Sequence, residues 1–169
     1  MGFELDLPLT LHISIHLLMA ILSGLVFGLV FKRVWLGLIA GILGGFLIDI
    51  DHVLEYFFVF GLRFNLTDFL NGLQFLTSDK IWLVFHAYEY FPILIFFAYL
   101  FRKKEALSFF LITLAFAGFV HLVSDSYINN FSPKHYSLIH RASKNFSASE
   151  ILSQEHWEEH SKIKSWLEL

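Results

Sequence analysis

The chain has 169 residues, of which 56% are hydrophobic and 16% charged, with a net charge of -3 and a mean hydropathy of +0.62. A soluble domain carries roughly a quarter charged residues, so this composition argues against a water-soluble globule, and the 21 Phe, 4 Trp and 6 Tyr suit a lipid-facing surface. No long basic block is present, which argues against nucleic acid as a partner, and the absence of Cys removes disulfides, thiolate zinc ligands and Cys nucleophiles.

In chain order, the acidic N-terminus Met1 to Pro8, with Glu4 and Asp6, lacks the basic n-region of a signal peptide, so the first apolar span is expected to be retained. Leu9 to Phe31 contains no Lys, Arg, Asp or Glu and is stopped by Lys32 and Arg33; it is long enough to cross a bilayer core. Val34 to Leu62 predicts one long second helix that carries Asp49, Asp51, His52 and Glu55 toward its far end. After a mixed stretch from Arg63 to Lys80, Ile81 to Phe101 predicts a third span, kinked at Pro92 with the Tyr88 carbonyl freed. Arg102, Lys103 and Lys104 stop it, and Ala106 to Ile128 is the fourth. The expected fold is an all-α integral membrane bundle of four transmembrane helices over residues 1–128, followed by a hydrophilic, partly helical tail over 129–169. By the positive-inside rule the two basic connections face the cytoplasm, which puts the 63–80 connection and the tail outside.

The ionisable groups inside these spans fall at one depth. At about 1.5 Å per residue, His12 and His16 lie about 5 to 10 Å from the outer end of the first span and His86 and Glu89 about 7 to 12 Å into the third. Asp49 to Glu55 close the second span, and His121 and Asp125 close the fourth. Each such group costs several kcal/mol in hydrocarbon unless paired or solvated, so their convergence points to a shared purpose. Stripes of small residues run beneath them at a spacing of four: His16, Ala20, Gly24, Gly28; Gly37, Gly41, Gly45, Asp49; and Thr113, Ala117, His121, Asp125. Such stripes mark faces where membrane helices pack closely, so the polar groups are expected to point into the bundle.

Imidazoles and carboxylates on facing helices are the ligand set of zinc, manganese or iron, and a spacing of three or four lets one helix supply two ligands. His12-x-x-x-His16, His86-x-x-Glu89 and His121-x-x-x-Asp125 have that form. The candidate metal ligands are therefore His12, His16, Asp49, Asp51, His52, His86, Glu89, His121 and Asp125, around a divalent metal with zinc foremost. Asp49 and Asp51 are able to bridge two ions, and Asp49, Asp51 and Glu89 are the candidates for a carboxylate left off the metal as general base.

The segments His12-Ile-Ser-Ile-His16, Phe46-Leu-Ile-Asp-Ile-Asp-His-Val53, Phe85-His-Ala-Tyr-Glu-Tyr90 and Val120-His-Leu-Val-Ser-Asp125 resemble the predicted membrane-bound metal-dependent hydrolases related to the LexA-binding inner-membrane protein. The resemblance covers roughly residues 12–128. It departs at Ile48, where that family usually has Pro before the first Asp, and at Glu89, which stands in place of a second His. His-x-x-x-Asp also occurs in zinc-dependent phospholipase C and P1-type nucleases, a distant likeness that suggests phosphate esters as a substrate class. The resemblance implies a multi-pass protein of a prokaryotic plasma membrane with its site toward the extracytoplasmic face, hydrolysing a phosphate ester or polar lipid headgroup through a metal-activated water. The rival readings are a proton or metal-ion transporter and a non-catalytic scaffold.

Other motif matches carry less. Asp49-x-Asp51-x-Val53 matches the first motif of haloacid dehalogenase-type phosphatases, but it needs a strand where the glycine-striped run predicts a helix. His156-Trp-Glu-Glu-His160 matches a zinc-protease pattern but lacks room for a third ligand, so both His are expected on the surface. The sequons at Asn65, Asn130 and Asn145 matter only in a eukaryotic secretory pathway. In the tail, Ser147-x-x-Glu150 reads as a capping box that opens a helix to about Leu167, either docked on the bundle or held at the interface by Trp157 and Trp166. His135, His140, Arg141 and Lys144 form a basic stretch able to supply a further ligand or bind an anionic headgroup.

Overall fold

The computed structural model describes residues 9–167, and the acidic stretch Met1–Pro8 with Glu4 and Asp6 lies outside the described residues. Ten α-helices are formed among them: α1 (Leu9–Val30), α2 (Val34–Gly45), α3 (Ile50–Phe60), α4 (Leu66–Leu70), α5 (Leu73–Ser78), α6 (Tyr90–Leu100), α7 (Glu105–Ile128), α8 (Leu138–Ser143), α9 (Ala148–Ile151) and α10 (Gln154–Trp166). Short 3-10 turns cover Leu47–Asp49 and Pro133–Tyr136. No strand occurs among the described residues, and Lys80 and Ser147 make an isolated antiparallel bridge. Three segments, Leu11–Val30, Val34–Phe60 and Glu105–Ile128, are long and apolar enough to cross a membrane.

The described chain divides into two compact units, one of residues up to Ile48 with Ala87–Tyr136, the other of Asp49–His86 with the residues from Ser137 onward. In the first unit α1, α2 and α7 pack through the predicted stripes. His16, Ala20, Gly24 and Gly28 are all buried, as are Gly37, Gly41 and Gly45, and Thr113, Ala117, His121 and Asp125. Close approach is the reason for glycine here. A Cβ at Gly24 would stand 2.5 Å from the Gly37 carbonyl oxygen, and one at Gly41 would strike the Ala20 carbonyl oxygen, so only glycine lets the two backbones meet. Leu18, Val26, Leu29 and Trp35 face outward, the surface that a bilayer would cover.

Two of the predicted spans differ in form. The second is interrupted rather than continuous: α2 ends at Gly45, Phe46 leaves helical geometry at φ -134°, and α3 starts afresh after Asp49. The adjacent Gly44 and Gly45 have the helix propensity to permit such a break. In the third, residues 81–89 are not helical and α6 begins at Tyr90, so Pro92 sits in its first turn and kinks nothing. The Tyr88 carbonyl accepts from the Phe91 N–H at 3.2 Å.

In the second unit the tail also starts differently. The Ser147 side chain caps nothing and α9 is a single turn, whereas Ser153 caps α10 by accepting from the His156 N–H at 3.3 Å. The Pro-free stretch Leu152-Ser153 is extended, which separates the two helices.

Candidate metal centres

In the first unit, α1 contributes His12 and His16 one turn apart, and the last turns of α7 contribute His121 and Asp125. The Asp125 carboxylate lies at the centre. Its Oδ1 is 3.1 Å from His16 Nε2 and 3.4 Å from His12 Nε2, and its Oδ2 is 3.2 Å from His121 Nε2. The rings follow in sequence, with centroids 4.5 Å apart for His12 and His16 and 4.1 Å for His16 and His121. His121 Nδ1 is 3.1 Å from the Gly45 carbonyl oxygen; a carbonyl only accepts, so Nδ1 is the donor there and Nε2 faces Asp125.

These residues fit a divalent cation. Tetrahedral bonds of about 2.0 to 2.1 Å to nitrogen and oxygen give ligand-to-ligand edges of about 3.3 Å, and the observed separations from Asp125 run from 3.1 to 3.4 Å. His16 is 1% exposed, its Nδ1 has no hydrogen-bond partner, and its Nε2 faces only the Asp125 carboxylate, at 3.1 Å. A buried imidazole left in that state is costly unless something else binds it.

The second unit holds a second group. His86, at the end of the non-helical segment, places Nδ1 3.0 Å from Asp51 Oδ2 and Nε2 3.2 Å from Asp49 Oδ1. His52 Nε2 is 3.9 Å from the same Asp49 oxygen, and its ring meets that of His86 edge to face at 5.0 Å. Ligand atoms of Asp51, His52 and His86 all lie within 4.8 Å of one another, as do those of His12, His16 and Asp125 in the first unit. Both groups could therefore hold a metal ion.

Asp51 has a further task. Its Oδ2 accepts the N–H groups of Phe85 (2.8 Å) and His86 (3.2 Å) besides the His86 ring. Glu55, one turn further along α3 and 1% exposed, accepts the N–H groups of Trp82 (3.0 Å) and Leu83 (2.9 Å). Arg141 of α8, also 1% exposed, donates through Nη2 to the carbonyls of Leu83 (2.9 Å) and His86 (2.8 Å). Non-helical backbone in an apolar setting requires partners for its amides and carbonyls, and these three side chains supply them.

Of the candidates read from the sequence, His12, His16, His121 and Asp125 come together in one unit, and Asp49, Asp51, His52 and His86 in the other. Glu89 is the N-cap residue of α6. The anchoring by Glu55 and Arg141 was not anticipated; the available signal was an acid inside the apolar run after Asp51, which demands donors once buried. Arg141 is thus engaged with backbone carbonyls. His135 is buried as well, with Nδ1 2.9 Å from the Ser132 carbonyl oxygen.

The zinc-protease pattern in the tail dissolves. His156 Nδ1 lies 2.7 Å from Ser153 Oγ. His160 is buried, not on the surface, because its Nε2 lies 2.9 Å from Asp79 Oδ1 while Lys164 Nζ lies 2.6 Å from Asp79 Oδ2. Burial works to raise the Asp79 pKa, but the bonds from Lys164 and His160 outweigh it and hold the carboxyl below its ordinary value. α10 is thus docked through its polar face, with Trp166 exposed.

No family model matches the chain, and no curated protein or solved structure matches it.

Proposed function

We propose that the chain is a membrane-embedded, metal-dependent hydrolase acting on a phosphate ester or polar lipid headgroup, as the resemblance in its His and Asp motifs implies. The observation that carries this reading is the arrangement of three imidazoles about Asp125, with the buried Nδ1 of His16 lacking a hydrogen-bond partner. A divalent ion, zinc by ligand chemistry, supplies Lewis acidity and a nucleophilic water near neutral pH when bound.

His12, His16, His121 and Asp125 would hold one ion, and His52 and His86 another, with Asp49 beside it and left off the metal. Asp51 is committed to the Phe85 and His86 amides and to the His86 ring, so its role is to orient His86 and direct Nε2 outward. Asp49, with a side chain 38% exposed, is the carboxylate of its group that water reaches best. It is the general base in this reading: it takes a proton from the attacking water and returns it to the leaving oxygen. The topology that goes with this function has four crossings, the fourth made by α6 with the segment before it, and the basic connections in the cytoplasm.

The test uses the full chain purified in detergent. Elemental analysis should find a divalent metal that Asp125→Ala depletes, and a panel of amphiphilic phosphate esters should be cleaved in a chelator-sensitive way. Asp49→Asn should leave the metal of the His121 and Asp125 group in place and slow turnover by about 100-fold or more. A metal-loaded protein that cleaves nothing in the panel, yet moves protons or metal ions in proteoliposomes in an Asp125-dependent way, would replace this reading with transport.

A further inference from the structure

The first unit has a cleft of about 320 Å³ whose lining includes Phe27 and Phe31 of α1, Arg33, Arg102, and Ser108 and Phe109 of α7. Its chemistry is divided. The floor is aromatic, with the Phe31 and Phe109 rings 5.5 Å apart. The mouth is cationic: Lys32, Arg33, Arg102, Lys103 and Lys104 flank it, against Glu105 as the acid in the lining.

Glu105 Oε2 takes Arg33 Nη2 at 2.9 Å, and among the described residues no carboxylate pairs with Lys32, Arg102, Lys103 or Lys104. Arg102 is exposed, donates to the Tyr99 carbonyl at 3.2 Å and lies 4.5 Å above the Tyr99 ring. Arginine forks at a planar, weakly hydrated site are suited to phosphate. An aromatic floor beneath such a mouth, at the ends of two apolar helices, matches an amphiphile with one anionic headgroup and a hydrocarbon chain.

We propose that this cleft binds an anionic phospholipid, with its phosphate on Arg102 beside the Arg33–Glu105 pair and one acyl chain laid over Phe27, Phe31 and Phe109. The site is independent of the metal groups and of any hydrolytic activity: it is a fixed lipid contact at the basic end of the helices. Electrostatics select the headgroup and the rings hold the chain.

The experiment titrates the delipidated full chain in detergent with phosphatidylglycerol or phosphatidylcholine of identical chains and counts bound lipid by native mass spectrometry. Phosphatidylglycerol should bind at least tenfold more tightly, and Arg102→Gln, an exposed substitution, should reduce that preference about fivefold, the effect of one basic group at an anionic surface. Phe31→Ala should weaken both lipids equally and keep the preference. Water-soluble glycerol phosphate should not compete at equal concentration; competition as effective as that of the whole lipid would make this a phosphate site and overturn the proposal. Equal binding of the two lipids, or a preference untouched by both Arg102→Gln and Arg33→Gln, would overturn it as well.

Discussion

His86 Nδ1 and Asp51 Oδ2 lie 3.0 Å apart, and an ionised carboxylate accepts only, so the imidazole proton sits on Nδ1 and Nε2 is presented to Asp49 at 3.2 Å. A carboxylate that fixes a ligating histidine in this way raises its basicity and holds its ring.

Asp51→Asn is therefore expected to weaken metal affinity of the second group about 10- to 100-fold while leaving the ion bound by Asp125 and its histidines in place. Competition with a chelating dye, read as two separable affinities, checks this. Loss of both affinities together would instead indicate that the substitution had unfolded the chain.

Gly41→Leu should destabilise strongly, because even a Cβ there meets the Ala20 carbonyl oxygen. Overpacking of this kind costs about 1 to 3 kcal/mol or more. Leu43→Ala, on an outward-facing position of the same helix, should change little. Thermal unfolding in detergent separates the two, and an equal effect would remove the close-packed role of the stripe.

That stripe was legible because period and residue size carry it directly: His16 to Gly28, Gly37 to Gly45 and Thr113 to Asp125 are buried as their spacing of four requires. The same spacing placed His12 with His16, and His121 with Asp125, each pair on one helix face. What hydropathy could not reveal was the form of residues 81–89. Ile81 to Phe85 are as apolar as a membrane helix, and the segment stays out of helix because Glu55, Asp51 and Arg141, 27 to 58 positions away in sequence, offer its backbone other partners. A local window has no access to such bonds. The buried His160 was missed for the same reason, since Asp79 is 81 residues distant.

Asp79 gives a pH dependence whose sign is fixed. Its folded pKa lies below the ordinary carboxylate value of about 3.9, so its stabilisation of the docked α10 is complete above that value and is lost as pH falls through the lowered folded pKa. Hydrogen exchange of α10 amides should stay constant from neutral pH down to about pH 4, after correction for intrinsic rates, and rise only in stronger acid. In Asp79→Asn the exchange should be fast throughout. Slow exchange in that variant would show that apolar contacts alone dock the helix.

Sidedness is accessible because the chain has no native Cys. Single cysteines at Lys32 or Lys103 should resist an impermeant thiol reagent in intact cells, and those at Asn71 or Ser161 should react. The opposite pattern would invert the proposed orientation.

The bonds to residues 81–89 also set an order of events during synthesis. Asp51 and Glu55 are made before this segment and Arg141 long after it, and chains emerge from the amino terminus. The amides of Trp82, Leu83, Phe85 and His86 thus find their acceptors at once, whereas the carbonyls of Leu83 and His86 wait for the α8 guanidinium. Nascent chains stalled before residue 141 should leave Cys placed at Ala87, fully buried in the complete structure, open to labelling, and chains extended through α8 should protect it; equal labelling would discard the order. The irregular turn at residues 81–89 is therefore closed in two stages, and the last bonds that hold the His86 backbone are supplied by the tail.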